Sequence, residues 1–93
     1  MKNPLRDFLA RIIWDEKFRK REFKIMFVSR GAPNNIETIS TNQLVSVGKN
    51  GFEYNTENGE RKYIPFHRVR EIIDTKTGRR IFSKEKSIYD FKV

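Results

Sequence analysis

The sequence contains no cysteine, one histidine and no long apolar segment. Without cysteine, the chain can form no disulfide and no thiolate metal site, and it has no cysteine nucleophile. A single histidine excludes acid–base catalysis by a histidine pair and leaves no His and Cys set for a metal ion. The chain also lacks a Walker-type phosphate loop and a GxGxxG dinucleotide motif. We therefore expect no cofactor and no metal.

No apolar run approaches the roughly 20 residues that a membrane-spanning helix needs. Residues 1–4 do not lead into a signal peptide. The absence of cysteine fits a reducing compartment. These features predict a cytoplasmic protein without a membrane partner. The 93 residues predict a single domain, 1–93, with one modest core, because no repeat or linker divides the chain.

Positive charge is concentrated in the two outer thirds of the chain. The protein has 20 Lys and Arg against 12 Asp and Glu, a formal net charge of +8. The charge is +5 for residues 1–30, −3 for residues 31–60 and +6 for residues 61–93. If the outer thirds meet in the fold, they form one basic face, as is typical of proteins that bind nucleic acid or another phosphate-bearing partner. The alternative is an ordinary solvated surface.

The first segment predicts a helix that buries one face. Asn3 is a favourable N-cap residue, and Pro4 fits the first helical position, where its missing N–H costs nothing. The apolar residues that follow recur at helical spacing, and they are Leu5, Phe8, Leu9, Ile12 and Ile13. This stripe is expected to lie in the core.

The rest of the chain predicts short strands joined by tight turns. Alternating or β-branched segments occur at 22–30, 36–41, 44–47, 52–54, 69–73 and 80–82. The strongest turn signals between them are Asn50-Gly51 and Asn58-Gly59. The predicted fold is α+β, with the N-terminal helix packed on a twisted or partly closed antiparallel sheet of five to six short strands. Residues 83–93 form a tail that either packs back or frays.

The stretch from Ile64 to Arg70 concentrates side chains that are able to meet a phosphate. The His67 imidazole can donate to a phosphate oxygen or act as a general acid or base. Arg68 and Arg70 share one strand face if residue 68 already lies in a strand, and guanidinium matches two phosphate oxygens. The alternatives are a structural histidine and an exposed basic edge. The apolar members expected to anchor the stretch are Pro65, Phe66 and Val69.

Two other basic groups flank the first predicted strand. Arg30 ends it and is either a phosphate ligand or an exposed edge residue. The cluster of Arg19, Lys20 and Arg21 precedes it, where it either lines a phosphate path or forms a solvated loop. The sequence leaves both questions open.

Aromatic side chains interleaved with basic ones suit single-stranded RNA, whose bases stack on rings. Most of the eight Phe are nevertheless expected in the core, because a small sheet needs them there. Tyr54 and Tyr63 are the better candidates for stacking, provided that their rings face outward.

Three motifs together resemble a small archaeal family. They are Ile13-Trp14-Asp15, Arg30-Gly31-Ala32-Pro33 and the most specific of the three, Ile64-Pro65-Phe66-His67-Arg68-Val69. The similarity covers a core of residues 5–82. The family comprises short stand-alone proteins and a domain described as recognising RNA ends that bear a cyclic phosphate.

The resemblance implies a binding site that contains His67, Arg68 and Arg30, with Trp14 and Asp15 as further members. It implies an RNA 3′ end as the ligand. It also implies RNA-processing proteins as partners, because in larger proteins the domain lies beside phosphoesterase-like and nucleotidyltransferase-like modules. A cyclic phosphate carries one negative charge and a linear monophosphate nearly two. Charge alone therefore favours the linear end, so shape must contribute to any preference for the cyclic one.

Three hypotheses follow. The first is a non-catalytic RNA-binding module that recognises a phosphorylated or 2′,3′-cyclic-phosphate RNA end in RNA processing or repair. The second is a small RNA-processing enzyme that uses His67 as acid or base to cleave a phosphodiester or open a cyclic phosphate. The third is a basic protein-interaction module. Recognition is favoured over turnover because His67 has no evident acid–base partner, although a lysine is able to fill that role.

Overall fold

The N-terminal helix forms as its sequence predicts. In the computed structural model, which describes residues 3–91, helix α1 spans Pro4–Trp14 with Asn3 as its N-cap. The Asn3 Oδ1 accepts hydrogen bonds from the backbone N–H groups of Leu5 and Arg6, at 3.1 and 3.3 Å. A second, short helix follows, α2 (Glu16–Arg19), because the Asp15 side chain caps its first turn.

Eight strands follow the helices. They are β1 (Phe23–Val28), β2 (Ile36–Ser40), β3 (Leu44–Val47), β4 (Gly51–Asn55), β5 (Arg61–Pro65), β6 (Val69–Asp74), β7 (Arg80–Ser83) and β8 (Ile88–Tyr89). They form two antiparallel sheets. The first has five strands in the order β2-β1-β6-β7-β8, and the second has three in the order β3-β4-β5. The α+β prediction is confirmed, whereas the single sheet of five to six strands is wrong.

Two short 3-10 turns explain the division into two sheets. The turn Thr41–Gln43 carries the chain from β2 into the second sheet, and the turn Phe66–Arg68 returns it from β5 to β6. The first turn is fixed by a capping box, in which Ser40 and Gln43 each accept a backbone N–H through their side chains. The sequence marks the first turn only by the polar run 40–43, and a polar run does not show whether the next strand joins the same sheet or another one.

The core lies between α1 and the sheets, and it is rich in aromatic residues. The Phe8 ring lies 5.3 Å from Phe18, 5.2 Å from Phe23 and 5.2 Å from Phe91, measured between centroids. Seven of the eight Phe are buried, and the eighth, Phe91, is partly buried against the same cluster. The expectation that most Phe belong to the core is confirmed.

The segment after residue 83 packs back onto the fold as far as it is described. Strand β8 pairs with β7, where Phe82 faces Tyr89 and Ser83 faces Ile88. The Phe91 ring stacks on Phe82 at 5.9 Å. The last two residues, 92 and 93, lie outside the described residues. Among residues 3–91, no helix has the length and apolar character to cross a membrane.

Gly51 generates a stability prediction, because it allows β4 to approach β5 closely. A Cβ at this position would overlap the Ile64 carbonyl oxygen and lie 2.6 Å from the Tyr63 ring. Gly51→Ala is therefore expected to lower the free energy of unfolding by about 1–3 kcal/mol, as overpacking does. Gly48→Ala in the same hairpin is the matched control, since its Cβ would meet only the Gly51 carbonyl oxygen at 3.6 Å. Equal stability of the two variants in urea denaturation would contradict this account.

Candidate nucleic-acid interface

The pairing of the central strands brings several chain segments to one end of the molecule. Phe27 near the end of β1 faces Val69 at the start of β6, and Ser83 at the end of β7 faces Glu71. The Phe66 N–H donates to the Asn50 carbonyl at 3.0 Å, so the β3–β4 hairpin joins them. We call this region the basic end and define it by turns 29–35, 48–50 and 66–68 and by Lys84.

The basic end carries cations that are not neutralised by neighbouring acids. Its three turns contain Arg30, Lys49, His67 and Arg68 but no Asp or Glu. Five ion pairs occur among residues 3–91, and none of them involves a residue of the basic end. The positive potential of these side chains is therefore available to an anion from outside.

His67 is presented to solvent by a turn with buried neighbours. Phe66 and Val69 are 7% and 0% exposed, whereas His67 and Arg68 between them are exposed. The Val69 N–H donates to the Phe66 carbonyl, which closes the turn. Because the buried residues fix the backbone, the two polar side chains start from a defined position. Residue 68 lies in the 3-10 turn and not in a strand, so the condition under which Arg68 and Arg70 would share a strand face is not met.

A cavity of about 280 Å³ lies beside His67. Lys84 lies at the same cavity, and its Nζ donates to the His67 carbonyl at 2.7 Å while its backbone N–H donates to the Arg70 carbonyl at 2.9 Å. The remaining lining residues are mostly apolar, and they are Asn3, Pro4, Leu5, Phe66, Val69, Phe82, Tyr89 and Phe91. The arrangement combines two nitrogen donors with an aromatic surface.

The N-terminus of α1 also borders this cavity, but its backbone donors are partly occupied. The Asn3 side chain accepts hydrogen bonds from the N–H groups of Leu5 and Arg6, and the Asn3 carbonyl accepts one from the Asp7 N–H at 3.1 Å. Helix α1 therefore contributes mainly the positive end of its dipole to the basic end. Direct hydrogen bonds to a ligand must come from side chains such as His67 and Lys84.

The structure places two of the predicted site residues, Trp14 and Asp15, at the opposite end of α1. Trp14 is the last residue of this helix, roughly 15 Å along the axis from Pro4. Trp14 is 69% exposed and does not line the His67 cavity. Asp15 caps α2 through the N–H groups of Lys17 and Phe18, at 3.0 and 3.4 Å. The predicted residues thus divide into two separate groups.

The cluster of Arg19, Lys20 and Arg21 lies with Trp14 and is largely engaged within the protein. The Arg19 guanidinium donates to the Ile13 carbonyl at 2.7 Å. Arg21 pairs with Asp74 at 2.9 Å. Lys20 is exposed. Two of the three side chains therefore have structural roles, and the cluster does not join His67 in one phosphate path.

The two candidate tyrosines differ. Tyr54 is 1% exposed, with ring centroids 5.7 Å from Phe27 and 6.4 Å from Phe52, so its ring does not face outward as stacking on RNA would require. Burial and the charge of Glu37 raise the pKa of its hydroxyl. Tyr63 is 53% exposed, but it lies over Gly51 on the three-stranded sheet and not at the His67 cavity.

The family relationship follows from sequence comparison. The model of a family described as the MJ1316 RNA cyclic group end recognition domain matches residues 1–84. The chain belongs to this family. A UPF0248 protein of Methanococcus vannielii is 31% identical over 80 residues, which cover 86% of this chain and 90% of that protein. UPF0248 protein MJ1316 of Methanocaldococcus jannaschii is 30% identical over 81 residues, covering 87% of this chain and 94% of the relative. No solved structure matches the chain.

The structure adds residues to the candidate site that sequence analysis missed. Lys84 lies two residues after the last predicted strand, 80–82, but nothing in the sequence indicates that this strand ends beside His67. For Tyr89 and Phe91, the available signal was their apolar character, with that of Ile88, in a tail that was expected either to pack back or to fray. Both aromatic residues lie beyond the family match at residue 84. Among residues 3–91, no group of three His, Cys, Asp or Glu side chains is placed to hold a metal ion.

Asp74 generates a pH prediction for the end of the protein opposite to His67. Burial alone would raise the pKa of this carboxyl, but hydrogen bonds from the Arg21 guanidinium and the Lys76 N–H outweigh it and hold the pKa below its usual value. The ionised carboxylate therefore stabilises the fold above the unfolded pKa of about 3.9. This contribution is lost as pH falls through the lower folded pKa.

Asp74→Asn is expected to lower the free energy of unfolding by about 1.5–3 kcal/mol at pH 7, because it weakens charged hydrogen bonds in a buried site. The loss should shrink as pH falls below about 4, because Asp74 of the unfolded wild-type chain then takes up a proton while the folded carboxyl, with its lower pKa, does so only at lower pH. Urea denaturation between pH 2 and 7 measures both effects. Glu57→Gln, at an exposed position in the β4–β5 turn, is the control and should change stability by less than about 0.5 kcal/mol. A pH-independent difference for Asp74→Asn would contradict the assignment.

Proposed function

We propose that this protein is an RNA-binding module that recognises a phosphorylated or 2′,3′-cyclic-phosphate RNA 3′ end. The observation that carries the proposal is the exposed pair His67 and Arg68 on a turn whose neighbouring residues are buried. This turn lies at the basic end, where the three turns contain no Asp or Glu. The description of the family as an RNA cyclic group end recognition domain agrees with it. RNA-processing proteins are the partners that such a module would serve.

In this proposal, the terminal phosphate lies between His67, Arg68 and Lys84. Arg68 presents a planar pair of donors, His67 a ring N–H, and Lys84 an ammonium group that also touches the His67 carbonyl. Arg30 and Arg70 lie at the same end and attract the preceding phosphates of the strand. Since cationic groups alone favour the doubly charged linear phosphate, preference for a cyclic phosphate requires the cavity wall to select shape.

A second candidate function is cleavage of RNA or opening of a cyclic phosphate. The observation that favours it is Lys84, which lies beside His67 and is able to act as a second proton-transfer group. Among residues 3–91, no carboxylate lines the cavity. The Lys84 Nζ is already engaged by the His67 carbonyl, which favours a positioning role for Lys84. Binding is therefore the better-supported function.

The test measures affinity for short RNAs that differ only in a 3′ hydroxyl, linear phosphate or cyclic phosphate, at two salt concentrations. End recognition predicts tighter binding to one phosphorylated end than to the hydroxyl end. The logarithm of affinity should fall with the logarithm of salt at a slope of about −0.7 per phosphate contact. The recovered RNA is then analysed, since altered ends would establish turnover. Equal affinity for the three ends would overturn the proposal, and absence of RNA binding would favour the protein-interaction hypothesis.

Variants locate the site within the fold. His67→Ala and Arg68→Gln are each expected to weaken binding to the preferred end about tenfold, the effect of losing one charged hydrogen bond. Arg61→Gln is the matched control for Arg68, because Arg61 is exposed at the far end of β5. It should leave the ratio of affinities between ends unchanged.

A combined replacement of Arg19, Lys20 and Arg21 tests the opposite end of the molecule. It should weaken all RNA ends alike, through loss of general electrostatic attraction. Circular dichroism must first show that the variant is folded, because Arg21 pairs with Asp74. A selective loss for one RNA end in this variant, with none in His67→Ala, would place the end-binding site beside Trp14 instead.

A further inference from the structure

We infer that the cavity beside His67 binds the terminal nucleobase of the RNA, and that the base stacks on the exposed ring of Tyr89, which Phe82 and Phe91 hold in place from behind. This inference rests on the proposed function and extends it from the phosphate to the whole terminal nucleotide. It assigns a role to the C-terminal segment, which lies outside the family match.

The first observation is an exposed aromatic ring, Tyr89, that rests on the buried Phe82 and borders the cavity together with the half-buried Phe91. Phe82 and Phe91 stack with an interplanar angle of 23°, and Tyr89 meets Phe82 edge-on with centroids 5.5 Å apart. Tyr89 is 62% exposed, and all three rings border the cavity. Single exposed aromatic residues are common on protein surfaces. An exposed ring that two others support at a cavity forms a stacking platform of the kind that binds unpaired bases.

The second observation is the size of the cavity. Its volume of about 280 Å³ lies near the lower limit of about 300 Å³ for small-molecule pockets. Such a space accommodates one heterocycle, but it is too small for an amphipathic helix or for several stacked bases. The apolar lining fits the faces of a base, because every base presents a π surface.

The third observation is the placement of the cations relative to the rings. His67 and Lys84 border the same cavity as Tyr89, and Arg68 directly follows His67 in the turn. In a 2′,3′-cyclic phosphate, the base and the phosphate are attached to the same ribose, so their separation is short and nearly fixed. A base that enters the cavity therefore brings its own phosphate to the His67 side of the rim.

This geometry accounts for a preference that charge cannot supply. A linear phosphate attracts cations more strongly, whereas a cyclic phosphate is rigidly joined to both ribose oxygens. Stacking of the base restricts the orientation of the ribose. Only a phosphate that the ribose holds on the His67 side of the cavity is then within reach of His67. Stacking also tolerates different bases, so we expect purines to bind somewhat more tightly than pyrimidines because of their larger faces.

The test uses short RNAs with a 2′,3′-cyclic phosphate whose terminal residue carries adenine or, in the matched probe, hydrogen in place of the base. The wild-type protein is expected to bind the adenine probe about tenfold more tightly, as for one stacked base. In Tyr89→Ala this difference should fall to about twofold or less. Tyr89→Phe keeps the ring and should retain the wild-type difference.

Tyr63→Ala is the matched control, because Tyr63 is the other exposed tyrosine with a similar exposure, 53%, on the three-stranded sheet. It should retain the tenfold difference. Equal affinity of the wild-type protein for both probes would overturn the base-binding inference. A loss in Tyr63→Ala with none in Tyr89→Ala would overturn it too, by placing the stacked base on the other sheet.

The same probes with linear phosphate separate this inference from the proposed function. If the protein distinguishes cyclic from linear ends but ignores the base, the end-binding function stands and the base pocket is wrong. If it prefers the probe with a base, and Tyr89→Ala removes that preference, but it binds cyclic and linear ends equally, the base pocket stands and end recognition is wrong. Loss of both preferences overturns both.

Discussion

The antiparallel pairing of β1 with β6 is the constraint on which the rest of the molecule depends. These strands are central in the five-stranded sheet, and Ile25, Phe27, Val69 and Ile72 within them are fully buried. Their register sets which turns meet at each end of the sheet. One end receives the His67 turn, the turn after β1 and the end of β7, whereas the other receives Arg21 and Asp74. The division between a basic and a mixed-charge end is thus a consequence of strand register.

Charge at the two ends of the protein is used differently. At the end with Asp74, the guanidinium of Arg21 pairs with a buried carboxylate and lies over the Phe18 and Phe23 rings, at 5.5 and 5.2 Å from their centroids. These cations stabilise the fold. At the basic end, the cations have no acid nearby in the turns that carry them, so they repel one another mildly and gain most from an external anion. A count of basic residues would not distinguish the two roles.

The features predictable from the sequence were those that depend on neighbours along the chain. Asn3, Pro4 and the spacing of Leu5 to Ile12 are sufficient to indicate α1, and Asn-Gly pairs are sufficient to indicate two hairpins. The side on which a ring faces depends instead on strand partners distant in sequence. Tyr54 is buried because β4 is the middle strand of a three-stranded sheet packed on Phe27, and Lys84 approaches His67 only through the pairing of β6 with β7. Neither contact leaves a local signal.

The clustering of Phe8, Phe82 and Phe91 has a practical consequence for any fusion to this protein. Asn3 and Phe91, the first and last described residues, border the same cavity. A polypeptide that precedes Asn3 or follows Phe91 therefore lies close to that cavity, and a short flexible linker gives it an effective concentration there in the millimolar range. An acidic tag would compete with an anionic ligand for the cavity. A catalytic domain fused at the same place would lie close to a ligand bound in the cavity.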